Sequence, residues 1–306
     1  MTEHPPLLHV GYIKTGSTFL QNQIFADRGY GFMEACPASR SRLASELILS
    51  NPYLFDPVTA RNRLLQDCAI PAGKVPVWSE EVLLGDPLVR RYDGKRNAER
   101  LHAIFPDARV LIVFREQRAM IVSAYKEYIN QGNAHSLTDF IGTGEEPAGF
   151  SPILDPSFLQ YSHAIRHYQL LFGAENVLAL PFELFKKDGD GFVARICRFA
   201  GLPATDLPPV SREVVNKRRG ARTLEMERFL NRFAVNSPLK PGWSPVARGL
   251  RRAASVADKL IPGGAHAARE KSIRTQIAAR FGDFYSADNA KVSALIGEDL
   301  SALGYQ

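Results

Sequence analysis

The chain has 306 residues, of which 45% are hydrophobic, and its formal net charge is +6. This length and apolar content suit one large α/β domain with appendages, and no stretch is apolar enough over a sufficient length to cross a bilayer. The first residues also lack the pattern of a secretion signal. Cys36, Cys68 and Cys197 are scattered without metal-binding or redox spacing, so we expect reduced thiols in a cytoplasm.

Strand-like and helix-like segments alternate along most of the chain. The predicted strands are 7–13, 75–80, 108–114 and 177–182. The predicted helices are 17–27, 57–68, 93–105, 117–131, 157–172 and 189–200. This alternation predicts a parallel sheet with helices on both faces, and we interpret residues 1–306 as a single domain. From residue 222 onward the pattern is helical, with breaks near 237–245 and 261–266.

A loop of the phosphate-binding type follows the first predicted strand. Gly11 and Gly16 have the spacing of the nucleotide-triphosphate loop, but Lys14 lies inside the loop and Ser17 and Thr18 follow Gly16 directly. Backbone N–H groups at a helix start, two hydroxyls and an ammonium group together indicate an anion site. The alternative is a helix that Ser17 or Thr18 merely caps, with Lys14 in solvent.

Two carboxylates end the predicted strand at 75–80, where the sequence reads VPVWSEEVLL. The carboxyl ends of parallel strands meet at one edge of a sheet, so Glu80 or Glu81 is expected near the loop that contains Lys14. Strand alternation turns the two side chains to opposite faces, so only one of them should enter the site. The alternative is that both are exposed acids at a helix start.

A second anion-binding pattern follows the apolar run ARVLIVF at 108–114. Such a run is typical of a buried parallel strand, and Arg115 stands at its end. Ser123 lies eight positions later, inside the helix that is predicted to follow. An arginine at a strand end and a serine about two turns along can hold one phosphate between them, the arginine by a forked contact.

These two patterns together resemble the sulfotransferases that use 3′-phosphoadenosine 5′-phosphosulfate (PAPS). The first motif of that family is similar to Tyr12–Leu20, including a lysine two residues before the glycine, and its second motif is an arginine and a serine spaced as Arg115 and Ser123 are. The resemblance implies that this Arg–Ser pair binds the 3′-phosphate and that the loop binds the 5′-phosphosulfate. The implied loop residues are Lys14, Thr15, Gly16, Ser17 and Thr18.

Weaker similarities extend the resemblance over most of the chain. Phe182 stands where the family has a tyrosine, so it keeps a ring for adenine stacking without the hydroxyl, and Phe19 is a second candidate adenine contact. A late basic loop of the family, also assigned to the 3′-phosphate, resembles Lys217, Arg218, Arg219 and Gly220. The C-terminal residues resemble those of bacterial members. Segments 29–74 and 235–268 match nothing in the family; we expect them to line the acceptor pocket, the second as a lid or insertion.

The resemblance implies transfer of the PAPS sulfuryl group to an acceptor hydroxyl or amine, with PAP as the second product and no metal. Lys14 would stabilise the leaving oxygen, and Glu81, in the position of the family's general base, would take the acceptor proton, with Glu80 as the fallback. The alternatives are a kinase-like P-loop phosphotransferase, which the missing lysine after Gly16 disfavours, and a nucleotide-binding relative without catalysis. Sugar, lipid, peptide and small-alcohol acceptors all remain open.

Charge is concentrated in the last third of the chain. Residues 212–280 hold 16 Lys and Arg against 5 Asp and Glu, a net +11 that leaves −5 for the remainder of the +6 chain. This excess suits a polyanionic nucleotide. Nucleic acid is not expected as a partner, because aromatic residues are sparse among these charges and no known binding module is present. A basic helix is predicted at 246–259, with a membrane-surface helix as the alternative interpretation.

Overall fold

The computed structural model describes residues 4–36, 38–210, 224–232, 234–235, 242–243 and 263–306. The described residues fall into two compact units. The first unit draws on Met1–Glu116, Ser157–Glu213 and Tyr285–Gln306, and the second on Gln117–Pro156 and Val214–Phe284. The assignment of the whole chain to a single domain stays a prediction.

A five-stranded parallel sheet forms the centre of the first unit. Its strands are β1 (Leu7–His9), β2 (Phe32–Glu34), β3 (Val75–Ser79), β4 (Arg109–Phe114) and β5 (Val177–Pro181), in the spatial order β2-β3-β1-β4-β5. Every residue of β3 is buried, as is every residue of β4 after Arg109, which is the pattern expected of strands covered on both faces. The predicted α/β fold with a parallel sheet is therefore confirmed.

Two strands differ from the sequence prediction. The sequence does not predict the edge strand β2, because three residues are too few to show an alternating pattern. β1 is shorter than the predicted 7–13, although its direction continues beyond His9. The backbone N–H groups of Val10 and Tyr12 still donate to the carbonyls of Leu111 and Val113, at 3.0 and 2.9 Å. The loop therefore starts from a backbone that is anchored to β4.

Twelve helices are described in the parts of the chain that the structure covers. In chain order they are α1 (Ser17–Phe19), α2 (Ser39–Leu43), α3 (Pro57–Leu65), α4 (Gly94–Ile104), α5 (Gln117–Asn130), α6 (Leu137–Ile141), α7 (Tyr161–Phe172), α8 (Phe182–Lys187), α9 (Gly189–Phe199), α10 (Leu224–Asn231), α11 (Gly263–Phe281) and α12 (Ser286–Ile296). α1 and α2 continue as π-helical segments over Leu20–Ile24 and Ala44–Leu49. Short 3₁₀ turns also occur, among them Glu81–Leu84 directly after β3.

Helices cover both faces of the sheet in the first unit, as predicted. On one face the π-helical segment after α1 and helix α9 bury their side chains against the strands. The core on this face includes Leu20, Ile24, Phe192, Ile196, Leu7, Val77, Leu111 and Val113. On the other face Trp78 packs against Phe105 at the end of α4, with ring centroids 5.6 Å apart, and Phe114 packs against Tyr161 of α7 at 5.0 Å.

The second unit is mostly helical and is built around α5. Asn231 of α10 donates to the carbonyls of Ile129 and Asn133, at 2.7 and 2.8 Å, and Lys126 forms a 2.7 Å ion pair with Glu270 of α11. The predicted helical C-terminal region is confirmed with two corrections. Ala234–Val235 (β6) pairs antiparallel with Gly242–Trp243 (β7), and α11 already begins at Gly263, inside the predicted break. The predicted basic helix at 246–259 lies outside the described residues.

The prediction of three reduced thiols is wrong for this structure, which pairs Cys36 and Cys68 as a disulfide. The two residues are 32 positions apart in the chain, yet their Cα atoms are 4.8 Å apart, because the segment that contains α2 and α3 returns to its own start. Spacing along the sequence carries no information about such a return. Cys197 is a buried free thiol, and burial raises its pKa to about 11.

Candidate active site

The loop between β1 and α1 has a backbone that turns sharply at two residues. Lys14 has φ 61° and Gly16 has φ 86°, both in the left-handed region. Glycine suits residue 16 because it adopts this left-handed backbone without strain. It is also needed there because a Cβ atom would lie 2.7 Å from the ring of Phe182. The Thr15 hydroxyl donates to the Tyr12 carbonyl at 2.5 Å and so closes the turn.

Arg115, at the end of β4, lies against this loop. Its Nη1 donates to the Lys14 carbonyl at 3.4 Å, and its own carbonyl accepts a 2.7 Å hydrogen bond from the hydroxyl of Tyr161. Its Nε atom is buried and has no hydrogen-bond partner within the part of the chain that the structure describes. A buried donor without a partner is costly, so this nitrogen is available to an anionic ligand.

Three phenylalanines form an aromatic cluster beside the loop. Phe182 lies 5.9 Å from the Arg115 guanidinium carbon and stacks on Phe185, with centroids 5.6 Å apart, and Phe19 lies 4.8 Å from Phe185. Phe182 does not end a strand as predicted. β5 stops at Pro181 and Phe182 begins α8, because proline has no N–H group to continue the ladder and is readily followed by a helix.

The two carboxylates after β3 have different surroundings. Glu80 is only 7% exposed: its N–H group donates to the His9 carbonyl at 3.1 Å, and its carboxylate accepts from the Val82 N–H at 3.4 Å and pairs with Arg40 at 3.3 Å. Glu81 begins the following 3₁₀ turn and is partly buried. The structure therefore engages Glu80 in contacts within the protein, as strand alternation leads one to expect for the residue that turns away from the site.

The electrostatic surroundings of Glu81 link it to the loop. Burial raises its pKa; the Ser17 hydroxyl lowers it, Glu80 raises it further, and the charges of Arg40 and Lys14 lower it. Ser17 is itself buried, and its Oγ forms no hydrogen bond of ordinary geometry with any described residue, although it is close enough to influence Glu81. A buried hydroxyl without a completed bond therefore lies between the loop and the carboxylate.

A buried polar network lies beneath the loop and the carboxylates. His9 of β1 is fully buried, and its Nδ1 is 2.7 Å from the Ser79 hydroxyl, which also accepts a 3.0 Å hydrogen bond from Gln21. The parallel register pairs His9 with Ser79 directly. Burial, and then the charge of Arg40, lower the pKa of His9 to about 3, so the ring is neutral at neutral pH.

Known proteins with a similar sequence or fold are sulfotransferases. Residues 95–206 match the model of the sulfotransferase family, a stretch that includes Arg115, Ser123 and Phe182. A solved sulfotransferase from Alicyclobacillus acidocaldarius has a TM-score of 0.56 at 19% identity, with 99% of each chain covered. The sulfotransferase domain from the curacin biosynthetic pathway has a TM-score of 0.39 at 10% identity, with 83% of this chain and 99% of that domain covered. No curated protein sequence matches the chain.

The match over residues 95–206 and the fold together support assignment of the chain to the sulfotransferase family. The resemblance inferred from the two motifs is confirmed at this level, and the fold is that of a solved sulfotransferase. The PAPS donor and the role of each site residue stay predictions.

The structure brings together most of the predicted site residues. Those that lie in or against the loop of the first unit are Lys14, Thr15, Gly16, Ser17, Thr18, Phe19, Arg115 and Phe182, with Glu81 linked to them through Ser17. Ser123 lies on α5 in the second unit, and its joint role with Arg115 stays a prediction. Lys217, Arg218, Arg219 and Gly220 lie outside the described residues.

Sequence reasoning missed Arg40 and Gln21 as residues near the carboxylates. Arg40 belongs to the segment 29–74, which carries no motif, and the sequence does not predict α2 or its π-helical continuation. Gln21 follows the loop motif directly, but nothing in its sequence context points to a contact with Ser79, 58 positions away. Neither residue has a sequence signal that could identify it.

Neither a metal cluster nor a membrane-spanning helix occurs among the described residues. Within that part of the chain, no three His, Cys, Asp or Glu side chains are grouped so that they could hold a metal ion. None of the helices in the described ranges has the length and apolar character needed to span a membrane. The absence of a metal requirement and the cytoplasmic location stay predictions.

Proposed function

We propose that the chain is a PAPS-dependent sulfotransferase that modifies an acceptor hydroxyl or amine. The observation that carries this proposal is a pair of buried donors, the Ser17 hydroxyl and the Arg115 Nε, neither of which has a hydrogen-bond partner among the described residues. Ser17 follows the loop directly, and Arg115 contacts the Lys14 carbonyl within it. Such donors suit two separate anionic groups of one ligand, and PAPS carries a 5′-phosphosulfate and a 3′-phosphate. The match of residues 95–206 to the sulfotransferase family model supports the same donor.

The residues present fit each part of the nucleotide. Lys14, Ser17, Thr18 and the loop N–H groups would hold the 5′-phosphosulfate, with Thr15 and Gly16 keeping the loop in shape. Arg115, with Ser123 and the stretch Lys217–Gly220, would hold the 3′-phosphate. Phe182 and Phe19 offer ring faces to the adenine, as members of a cluster with Phe185.

The chemistry of the site follows from charge. Bound PAPS would supply an activated sulfuryl group. Lys14 would then hold the negative charge that grows on the leaving bridging oxygen, in a loop whose donors are already in position. Glu81 would accept the proton that the acceptor hydroxyl or amine loses as its bond to sulfur forms. Burial raises the pKa of Glu81, whereas the charges of Arg40 and Lys14 lower it. These two cations therefore favour the ionised carboxylate that this role requires.

Thermal and chemical denaturation with PAP test the nucleotide assignment. PAP at about a hundred times its dissociation constant should stabilise the fold by about 2.7 kcal/mol, and adenosine 5′-phosphate should stabilise it less because it lacks the 3′-phosphate. Arg115→Ala should remove that difference, since a charge-assisted contact of this kind contributes about 1.5–3 kcal/mol. Arg63→Ala, at an exposed arginine on α3, is the matched control.

The alternatives give opposite outcomes in the same assay. Stabilisation by ATP with Mg²⁺ but not by PAP would overturn the proposal in favour of a phosphotransferase. Binding of PAP without any turnover of labelled PAPS, across a broad pool of hydroxyl and amine compounds, would favour a nucleotide-binding relative without catalysis. Detection of a product that has gained one SO₃ group would identify the acceptor.

A further inference from the structure

Arg40 is held beside the candidate base by a single contact. Its Nε lies 3.3 Å from the Glu80 carboxylate, and its side chain is 50% exposed, whereas that of Glu80 is 9% exposed. Within the described part of the chain, no other residue takes a hydrogen bond or an ion pair from Arg40. The two terminal nitrogens of the guanidinium, which form the fork that binds carboxylates and phosphates, therefore have no protein partner there.

The position of Glu80 explains how Arg40 is fixed. Its backbone N–H is bonded to β1 at His9, and its carboxylate caps the 3₁₀ turn at the Val82 N–H. A carboxylate so well fixed and so little exposed orients the arginine more firmly than a pair of flexible surface charges would. A half-exposed ion pair of this kind contributes little to stability, so stability alone is a weak reason for the arrangement.

Two cations act on Glu81 from different parts of the chain. Burial raises its pKa, whereas Arg40, from α2, and Lys14, from the loop, both lower it. Lys14 belongs to the loop assigned to the donor. Arg40 comes from the segment 29–74, which the family motifs do not cover and which is expected to line the acceptor pocket. Glu81 thus lies within range of one cation on the donor side and one on the expected acceptor side.

We propose that Arg40 binds a carboxylate or phosphate group of the acceptor and so selects acceptors that carry an anionic group beside the reacting hydroxyl or amine. The inference rests on the proposed function, since it assumes that the acceptor approaches Glu81. An anionic acceptor is repelled by an anionic donor, and a guanidinium fork beside the two carboxylates offsets that repulsion. The net charge of +6 attracts such an acceptor at long range.

Matched pairs of small compounds test this inference while the natural acceptor is still unidentified. Each pair differs in one anionic group: methyl glucuronide and methyl glucoside, 3-hydroxybenzoate and phenol, glycerol 3-phosphate and glycerol. Binding would be measured by ligand-observed NMR with and without saturating PAP, for the wild-type protein, Arg40→Gln and Arg63→Gln. Arg63 is the matched control because it is also a partly exposed arginine in a single ion pair, with Glu46 at 3.5 Å.

In at least one pair the anionic member should bind about fivefold more tightly than its neutral partner. This factor is that of a charge-assisted contact weakened by solvent, since the Arg40 side chain is half exposed. Arg40→Gln should abolish this preference, Arg63→Gln should keep it, and Arg40→Lys should keep part of it because the charge remains without the fork. The inference is overturned if no anionic member binds more tightly, or if Arg40→Gln retains the preference, or if Arg63→Gln loses it. A wild-type protein that fails to bind PAP contradicts the proposed function instead, and the PAP-free measurements then still report on Arg40.

Discussion

At the end of β3, two neighbouring carboxylates meet different surroundings. Glu80 is bonded to Arg40 and to the Val82 N–H, whereas Glu81 is influenced by Ser17 and Lys14 of the loop. A general base must reach its substrate and must be ionised when the substrate binds. Of the two, Glu81 alone combines partial exposure with the electrostatic influence of the loop, which is why we assign the role to it.

Replacement of the two carboxylates separates their roles. Glu81→Gln should lower turnover by about 10²–10⁴ while PAP affinity is unchanged, since only proton transfer is lost. Glu80→Gln should lower turnover much less, through a looser Arg40. Steady-state kinetics, with PAP affinity from calorimetry, measure both effects. If Glu80→Gln causes the large loss and Glu81→Gln does not, the base has been assigned one residue too late.

The pH dependence of turnover follows from the pKa of Glu81. Because burial raises that pKa, activity should fall on acidification at a pH above the ordinary carboxyl value of about 4.3. Arg40→Gln removes a charge that lowers the pKa, so it should move this acidic limb to higher pH, whereas Arg63→Gln should not. An acidic limb that is unchanged in Arg40→Gln would show that Arg40 does not act on the base.

Among the structural elements, β1 and β3 are joined by side-chain contacts as well as by the backbone hydrogen bonds of the sheet. The His9–Ser79 contact and the Gln21 hydrogen bond connect the strand before the loop, the strand before the carboxylates and the helical segment after the loop. Two of these elements lead directly into the loop and the carboxylates, so the network links the backbone before Lys14 to the backbone before Glu81. A neutral His9 is compatible with complete burial, and a charged one is not.

The buried histidine predicts a loss of stability in acid. Its pKa is about 3 in the folded protein and 6.5 when unfolded. Below pH 6.5 the unfolded chain therefore binds a proton that the folded chain does not, and stability falls by up to about 1.4 kcal/mol per pH unit until the folded pKa is reached. His9→Asn should reduce the slope of stability against pH between about pH 6.5 and 5, measured by urea unfolding. An unchanged slope in His9→Asn would contradict the prediction.

The start of α1 depends on Gly16 for two separable reasons. Gly16→Ala should destabilise the fold by about 1–3 kcal/mol and weaken PAP binding, because φ is 86° and the new Cβ would lie 2.7 Å from Phe182. Gly73→Ala is the control, since Gly73 has φ 74° but a Cβ atom there would meet nothing within 4 Å. Equal losses in the two variants would mean that backbone strain alone accounts for the effect and that the contact with Phe182 contributes nothing.

For the molecule as a whole, the Cys36–Cys68 disulfide ties the ends of the segment that contains α2 and α3. Arg40 lies in this segment, four residues after Cys36, so the crosslink ties the start of its helix to the far end of the segment. A crosslink over 32 positions restricts the unfolded chain. Disulfides persist mainly in oxidising compartments. A disulfide in the native protein would therefore argue against the predicted cytoplasmic location, and reduced thiols would agree with it.

Reduction of the protein should therefore lower its free energy of unfolding by about 2–4 kcal/mol. The double variant Cys36→Ser/Cys68→Ser should be insensitive to reductant, whereas Cys197→Ser should remain sensitive because that buried thiol is unpaired. Alkylation in denaturant followed by mass spectrometry counts the free thiols. Alkylation of all three cysteines before any reductant is added would contradict the disulfide and support the reduced state.

Local patterns in the sequence were sufficient for the sheet class and for locating the two motifs that we propose to bind phosphate. The apolar run that became β4 is buried in the structure, and Arg115 lies against the loop of Lys14 and Gly16 because β1 and β4 are neighbouring parallel strands whose carboxyl ends meet at one edge of the sheet. The edge strand β2 and the short helix α2 could not be predicted, since segments of three to five residues show no periodicity.

Tertiary structure alone decided the contacts between residues that are distant in the chain. His9 meets Ser79 across 70 positions, Arg40 meets Glu80 across 40, and Cys36 meets Cys68 across 32. None of these pairs has a sequence signal, because side-chain contact depends on strand register and helix packing rather than on spacing. The sequence by itself therefore determined the family resemblance and the donor-side motifs, whereas the fold determined which carboxylate is engaged by Arg40 and which one faces the loop.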